Sequence, residues 1–236
     1  MSGLLINPYS FRFKGTVYED DFAGAAGTSL NDRSPNLVNV TGNTYTVQTG
    51  TLELSGGGVL WAVGGDITTA HATIELPSNR IDDTIKIEMV FRPRGDVAGN
   101  WMGVGLRDGS GLNMQNRAVA WSLLRGQPTG QAGRMAVYSG LGNNGILYTS
   151  TATESGFEGA NPSTLTLTYA VSTGNFKVEL GGITKHDGVI AYQNNANTLA
   201  PLSAITHVVL QFNAQYSSTH PSALPAYIDY LKVTKE

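Results

Sequence analysis

Hydrophobic residues recur at every second position through most of this chain, and nowhere over a long stretch at helical spacing. The strictest case is residues 84–91, where Ile85, Ile87, Met89 and Phe91 alternate with Lys86 and Glu88. Such alternation sets one row on a core and the other in solvent, and predicts a strand. Residues 70–76 repeat the pattern with Ala70, Ala72, Ile74 and Leu76 on one side. Further strands are predicted over 16–22, 44–48, 51–54, 59–63, 101–107, 118–124, 135–138, 146–149, 164–171, 175–180, 205–212 and 227–233. Two hairpins are expected, one joining 44–48 to 51–54 through Thr49-Gly50, the other joining 164–171 to 175–180 through Ser172-Thr173-Gly174. Residues 150–163, 185–203 and 213–225 read as irregular.

A dozen or more short, one-sided strands separated by turn signals predict an all-β domain. The expected architecture is a two-sheet antiparallel β-sandwich, or jelly roll, over residues 16–236. Residues 1–15 read differently. Leu4, Leu5, Ile6, Tyr9, Phe11 and Phe13 are too apolar for a free tail, and Pro8 breaks regular pairing. This stretch is expected to be an arm, folded back on its own sandwich or docked on a neighbouring subunit.

Composition narrows the function classes. The chain has 236 residues, of which 29 are glycine and 14% are charged, with a net charge of −3. The 15 basic residues are scattered, so neither nucleic-acid nor membrane-surface binding is expected. No stretch has the length of a membrane span. Cysteine is absent, which removes disulfides and thiolate metal sites. The only apolar run near the N-terminus, Leu4-Leu5-Ile6, is too short for a signal peptide and is stopped by Asn7-Pro8. The expectation is a protein made in a cytoplasm without a cleaved leader.

Five segments together resemble a known superfamily: Glu19-Asp20-Asp21-Phe22, TYTVQTGTLEL, TIKIEMVFRP with NWMGVGLRDG, TLTLTYAVSTGNFKVELGG, and the closing AYIDYLKVT. The chain resembles, over residues 17 to 235, the concanavalin A-like lectin/glucanase jelly rolls, which include laminin G-like domains. The resemblance implies that the first and last strands are neighbours. It also implies a structural calcium held by Asp20, Asp21 and Asp229, since carboxylates suit a hard cation. The alternative for these acids is a solvated strand end and a turn cap or lysine pair. The leader LLINPYSF is similar to leaders of tailed-bacteriophage structural proteins.

The glucanases of this superfamily carry Glu, Asp and Glu close together on one strand, and no strand here offers that set. Glu88 stands alone, while Glu154 and Glu158 fall in a Gly/Ser loop. His71, His186, His207 and His220 lack metal-ligand spacing. The chain therefore reads as a non-enzyme. Sugar binding uses aromatic faces and planar polar groups, for which Trp101, Trp121, Tyr192, Tyr216, Arg107, Arg125 and Asn213 are candidates. The tryptophans have a second reading as core residues. Arg94-Gly95-Asp96 and the Asn39-Val40-Thr41 sequon read as ordinary turn chemistry.

Three functions remain. The first is a virion component of a tailed phage, a capsid decoration or head-fibre protein. Its arm would meet the major capsid protein or a sister subunit in a homo-oligomer, a trimer by analogy, and its sandwich would meet glycans. The second is a calcium-dependent carbohydrate-binding module or lectin. A polysaccharide-active enzyme comes third.

Overall fold

The computed structural model describes residues 14–38, 44–49, 51–54, 56, 60–63, 68–77, 83–92, 101–107, 118–125, 134–139, 146–152, 154, 162–190, 205–214 and 227–236. They form strands and connections only. In chain order the strands are β1 (Gly15–Asp20), β2 (Leu37–Val38), β3 (Thr46–Thr49), β4 (Thr51–Leu54), β5 (Leu60–Val63), β6 (Thr68–Glu75), β7 (Thr84–Arg92) and β8 (Trp101–Arg107). There follow β9 (Ala118–Arg125), β10 (Arg134–Ser139), β11 (Ile146–Thr149), β12 (Ser163–Ala170), β13 (Asn175–Leu180), β14 (Ile183–Val189), β15 (His207–Ala214) and β16 (Tyr227–Lys235).

These strands build two antiparallel sheets. Sheet A runs β14-β13-β12-β7-β16-β1-β2, with β5 joining β16 and β4 joining β5. Sheet B runs β11-β10-β9-β8-β15-β6-β3. The core lies between them. Ile85, Ile87, Met89 and Phe91 of β7 are fully buried, as the alternation in 84–91 predicts. They meet a matching row from sheet B that includes Ala72, Ile74, Val104, Leu106, Val208 and Leu210. Burial of each large side chain of this kind contributes about 1.5–3 kcal/mol.

The last strand lies in the middle of sheet A. β16 pairs with β7 through Leu231↔Met89 and Val233↔Ile87, and with β1 through Val233↔Tyr18 and Leu231↔Asp20. The chain's two strand ends thus close the sheet against each other, as the resemblance implied. At the end of β16, Lys235 Nζ lies 2.8 Å from Asp83 Oδ2, and both side chains are almost fully buried. Asp229 occupies an irregularity of the β16–β7 ladder, where the register shifts between Ile228 and Tyr230.

Three expectations require correction. Residues 44–54 are not a hairpin: β3 pairs with β6 in sheet B, whereas β4 pairs with β5 in sheet A. Between Thr49 and Thr51 the chain crosses from one sheet to the other, because both strands bury apolar residues in the one core from opposite sides. The segments TIKIEMVFRP and NWMGVGLRDG likewise fall in different sheets. Finally, 183–189, of which 185–189 read as irregular, is the edge strand β14. Its sequence ITKHDGV carries no apolar row, so its main-chain ladder with β13 and polar side-chain contacts such as Asn175–Asp187 hold it. The connecting pair Gly181-Gly182 has φ of 58° and 78°, the left-handed conformation that a two-residue hairpin turn needs.

At the opposite edges of the two sheets, Glu154 joins them. It accepts hydrogen bonds from the Tyr148 hydroxyl on β11 and from Lys185 on β14. Burial, with the Glu154 carboxylate second, pushes the Tyr148 hydroxyl up to about 12.

Removing one member of a buried ion pair leaves the other charge desolvated, which costs about 3–5 kcal/mol. Asp83→Ala is therefore expected to lower unfolding free energy in urea by that amount. A loss under about 1 kcal/mol, the range of an exposed pair, would show that the ladder alone secures the C-terminal strand.

Candidate functional site

The two sheets differ on the faces turned away from the core. On sheet A that face is half-exposed and carries balanced charges: Lys86–Glu88 at 3.1 Å, Lys177–Glu179 at 2.8 Å and Lys232–Glu19 at 3.3 Å. Threonines of β12 stand between them. This is an ordinary solvated sheet surface.

Sheet B is unlike it. Residues of β6 and β15 that alternate with the core row are polar yet buried: His71, Thr73 and Gln211 are each no more than 3% exposed. Arg107, at the end of β8, is fully buried. Strand register brings these together in rows. His71 stands opposite Gln211, which stands opposite Gly103; Thr73 opposes Val209, which opposes Gly105; Glu75 opposes His207, which opposes Arg107. The glycines at 103 and 105 leave a strip without side chains between the polar wall of β15 and the Leu123 and Trp121 positions of β9.

Electrostatics tie the cluster together. Burial holds the His71 ring below the usual histidine range, opposed by Gln211 and assisted by the Arg107 charge. His207 is lowered in the same way, chiefly by burial, with Glu75 opposing and Arg107 assisting. Both imidazoles are thus neutral at pH 7, each offering one donor and one acceptor. The Thr206 hydroxyl lies 2.8 Å from His207 Nδ1. Neither ring nitrogen of His71 completes a hydrogen bond of good geometry among the described residues. Imidazoles, an amide, a threonine hydroxyl and a guanidinium are groups that pair with hydroxyls and with anions; of those here His207 is half-buried and His71, Thr73, Gln211 and Arg107 are buried.

Several predicted binding residues come together on this sheet. Trp101, Arg107, Trp121, Arg125 and Asn213 all lie on β8, β9 and β15, and Asn213, Trp101, Arg125 and Arg134 form one row of register partners. Tyr192 and Tyr216 fall outside the described residues, as do Leu4, Leu5, Ile6, Tyr9, Phe11 and Phe13 of the arm, Arg94-Gly95-Asp96 and Asn39-Val40-Thr41. Sequence reading missed His71, Gln211, Glu75 and Arg134 as members of a site. The available signal was the polar stripe on β6 and β15; what could not be read was that these two strands pair.

Among the described residues Asp20, Asp21 and Asp229 are not gathered into a group of ligating side chains. Both oxygens of buried Asp20 are taken by the Arg33 guanidinium, and Oδ1 also accepts from the Phe22 N–H at 2.9 Å. Asp21 Oδ1 accepts from the Ala23 N–H at 3.0 Å and from the Asn36 amide, while Asn36 Oδ1 accepts from Arg33 at 2.8 Å. Burial works against the Arg33 charge, but the hydrogen-bonded Asp20 outweighs it and raises the guanidinium further. Calcium needs about six to eight free oxygen ligands. Among the described residues no group of three or more ligating side chains is gathered, and the cation here is Arg33. It also stands 6.0 Å from the centre of the Phe22 ring, whose backbone holds the left-handed φ of 52° that bulky residues rarely adopt.

No protein-family model matches the chain, and no curated protein sequence matches it. Solved structures do. The carbohydrate recognition domain of Emp46p, in its potassium-bound form, superposes with a TM-score of 0.59 at 18% identity, covering 88% of this chain and 96% of that one. The fold is concanavalin A-like. The exoplasmic/lumenal domain of VIP36 in its Ca2+/Man-bound form gives 0.58 at 10% identity, over 92% of this chain and 88% of that one. The endo-1,3-β-glucanase of Streptomyces sioyaensis gives 0.56 at 17% identity, over 93% and 95%. This concanavalin A-like sandwich thus has both lectins and glucanases among its structural neighbours.

Because Arg33 is the only cation shown on Asp20, Arg33→Ala is expected to cost about 3–5 kcal/mol. EDTA is expected to leave the Tm of the unmodified protein unchanged in differential scanning calorimetry. A drop with EDTA that calcium reverses would restore the metal reading.

Proposed function

We propose that the protein is a carbohydrate-binding module that takes a glycan along the outer face of sheet B. The observation that carries this reading is the polar rows on that face, His71–Gln211, which is buried, and Glu75–His207–Arg107, which runs from exposed to fully buried, beside the glycine strip of β8. A sheet stabilised only by its core has no use for a buried imidazole and amide on its other side, since each must be desolvated. Neighbours of the same fold include a carbohydrate recognition domain and a mannose-bound lumenal domain, which supports the ligand class.

Binding is favoured over cleavage by the carboxylates. Glycosidases flank the scissile bond with two of them, about 5–9.5 Å apart. The strands of sheet B carry one, Glu75. A glycan array with the whole chain is the direct test. Gln211→Ala is expected to weaken whichever glycan binds by about five- to tenfold, the worth of a hydrogen bond, and, because the side chain is buried beside His71, to lower stability by about 1–3 kcal/mol as well. An array without a hit would overturn the reading.

A second reading, a virion decoration protein acting beside the major capsid protein, is favoured by the apolar leader LLINPYSF alone. It predicts that deleting residues 1–15 abolishes particle or homo-oligomer association while glycan binding persists. Size-exclusion chromatography with light scattering, comparing the whole and shortened chains, checks it, and an unchanged mass with unchanged particle association would sink it.

A further inference from the structure

The two sheets end in strands of unequal length. β2 has two residues, and β3, β4 and β11 have four each. β14 has seven, and among the described residues it pairs only with β13. Its other side presents main-chain N–H and C=O groups to an added strand. A lysine standing in solvent commonly protects such an edge. Here Lys185 sits at the bulge between Thr184 and His186 and is turned inward to Glu154. Two of the four large apolar residues exposed among the described residues are on this strand, Ile183 at 52% and Val189 at 64%.

Ladder partners fix the faces of β14. Ile183, His186 and Gly188 oppose the buried Leu180, Val178 and Phe176, and so carry the core row to the edge of the sheet. Thr184, Asp187 and Val189 oppose Glu179, Lys177 and Asn175 on the outer face. The core row thus ends in three positions that no further strand covers among the described residues. One is an exposed isoleucine and one has no side chain.

One segment of the chain has the pattern of a strand that fits there. In residues 9–14, Tyr9, Phe11 and Phe13 alternate with Ser10, Arg12 and Lys14. Its three aromatics match the three core-row positions, and its two cations fall on the side of the exposed Asp187. Reach decides which copy of β14 this segment can meet. Gly15, where β1 begins, stands in one row with Lys235, Ile85, Tyr169, Phe176 and Gly188. Five steps between strands put Gly15 about 24 Å from Gly188. Phe13 is two residues from Gly15 and Tyr9 is six, which span at most about 7 Å and about 21 Å. Residues 9–13 therefore cannot lie along the β14 of their own chain.

We infer that residues 9–13 of one copy add as a strand to β14 of a second copy, with Tyr9, Phe11 and Phe13 covering Ile183, His186 and Gly188, and Arg12 on the face of Asp187. Main-chain pairing supplies the affinity and the alternating side chains the register. The contact joins two different surfaces of the same chain, so copies close into a ring or exchange arms as a dimer. The inference is independent of glycan binding. It shares the arm with the virion reading but needs no capsid.

Light scattering on the whole chain, over about 1–100 μM, is expected to give a mass of two or more copies, and deletion of residues 1–13 to return the monomer. Ile183→Lys, at an exposed position, is expected to weaken association by about tenfold or more with Tm unchanged, because the apolar area covered by the arm is lost. Leu37→Lys, on the opposite edge of sheet A, is expected to leave association unchanged. Disulfide trapping gives a second readout, since the chain has no cysteine. Under mild oxidation, a chain with Arg12→Cys is expected to form a covalent pair with a chain carrying Thr184→Cys or Asp187→Cys, and none with one carrying Lys86→Cys. A monomer at every concentration would overturn the inference, as would association that survives deletion of residues 1–13. Association that is lost with the arm, yet is indifferent to Ile183→Lys and yields no disulfide, would also overturn it and leave the arm docked elsewhere. None of these outcomes bears on glycan binding, which the array measures separately.

Discussion

The hydrogen-bond ladder of β16 is the constraint on which the molecule depends. This strand lies between β7 and β1, so the middle of sheet A is completed by the last ten residues of the chain pairing with residues 15–20 and 84–92. Those contacts span most of the sequence, and the loop entropy of bringing them together must be met before they stabilise anything. Two features secure the result. The inward row Ile228, Leu231 and Val233 is fully buried, and the Lys235–Asp83 pair anchors the strand's far end. Without β16, sheet A would fall into three parts, β14-β13-β12-β7, β1-β2 and β4-β5, with exposed apolar edges, a template for association with other chains.

A second local constraint follows from the first. Where β1 ends, its neighbour β16 continues, and the chain must turn out of the sheet at once. Asp20 directs that turn by accepting the Phe22 N–H, while Arg33 neutralises the buried carboxylate and covers the Phe22 ring. The charge that pairs with Asp20 at this corner is supplied by the chain's own Arg33. The cost is that the loop from 21 to 36 must keep its shape for the charge to stay paired.

With the core and its closure accounted for, the outer face of sheet B stands apart. His71, Thr73, Gln211 and Arg107 are buried there away from the core row, and its glycine strip invites close approach. The fold alone is shared by lectins and glucanases and does not choose between them. The proposal of saccharide binding therefore rests on the side chains of that face and not on the fold.

By itself, the sequence determined the things that depend on neighbours along the chain. Alternation in 84–91 and 70–76, the turn at Ser172-Thr173-Gly174 and the apolar closing strand were enough for an all-β sandwich, and the superfamily resemblance implied that its ends are adjacent. Trp101, Arg107 and Trp121 were legible as binding candidates because sugar sites use aromatic faces and planar polar groups. Only the tertiary structure decided which strands pair. Strand pairing sent β3 and β4 to different sheets, made an edge strand of ITKHDGV without an apolar row, and brought His71 opposite Gln211 and Glu75 opposite His207, residues more than a hundred positions apart. It also placed Arg33 on Asp20, turning an expected calcium ligand into one half of an ion pair. The physical reason is the same in each case: a side chain's period along a strand is local and written in order, whereas the partner it meets across a ladder is set by the global register of sheets whose members come from distant parts of the chain.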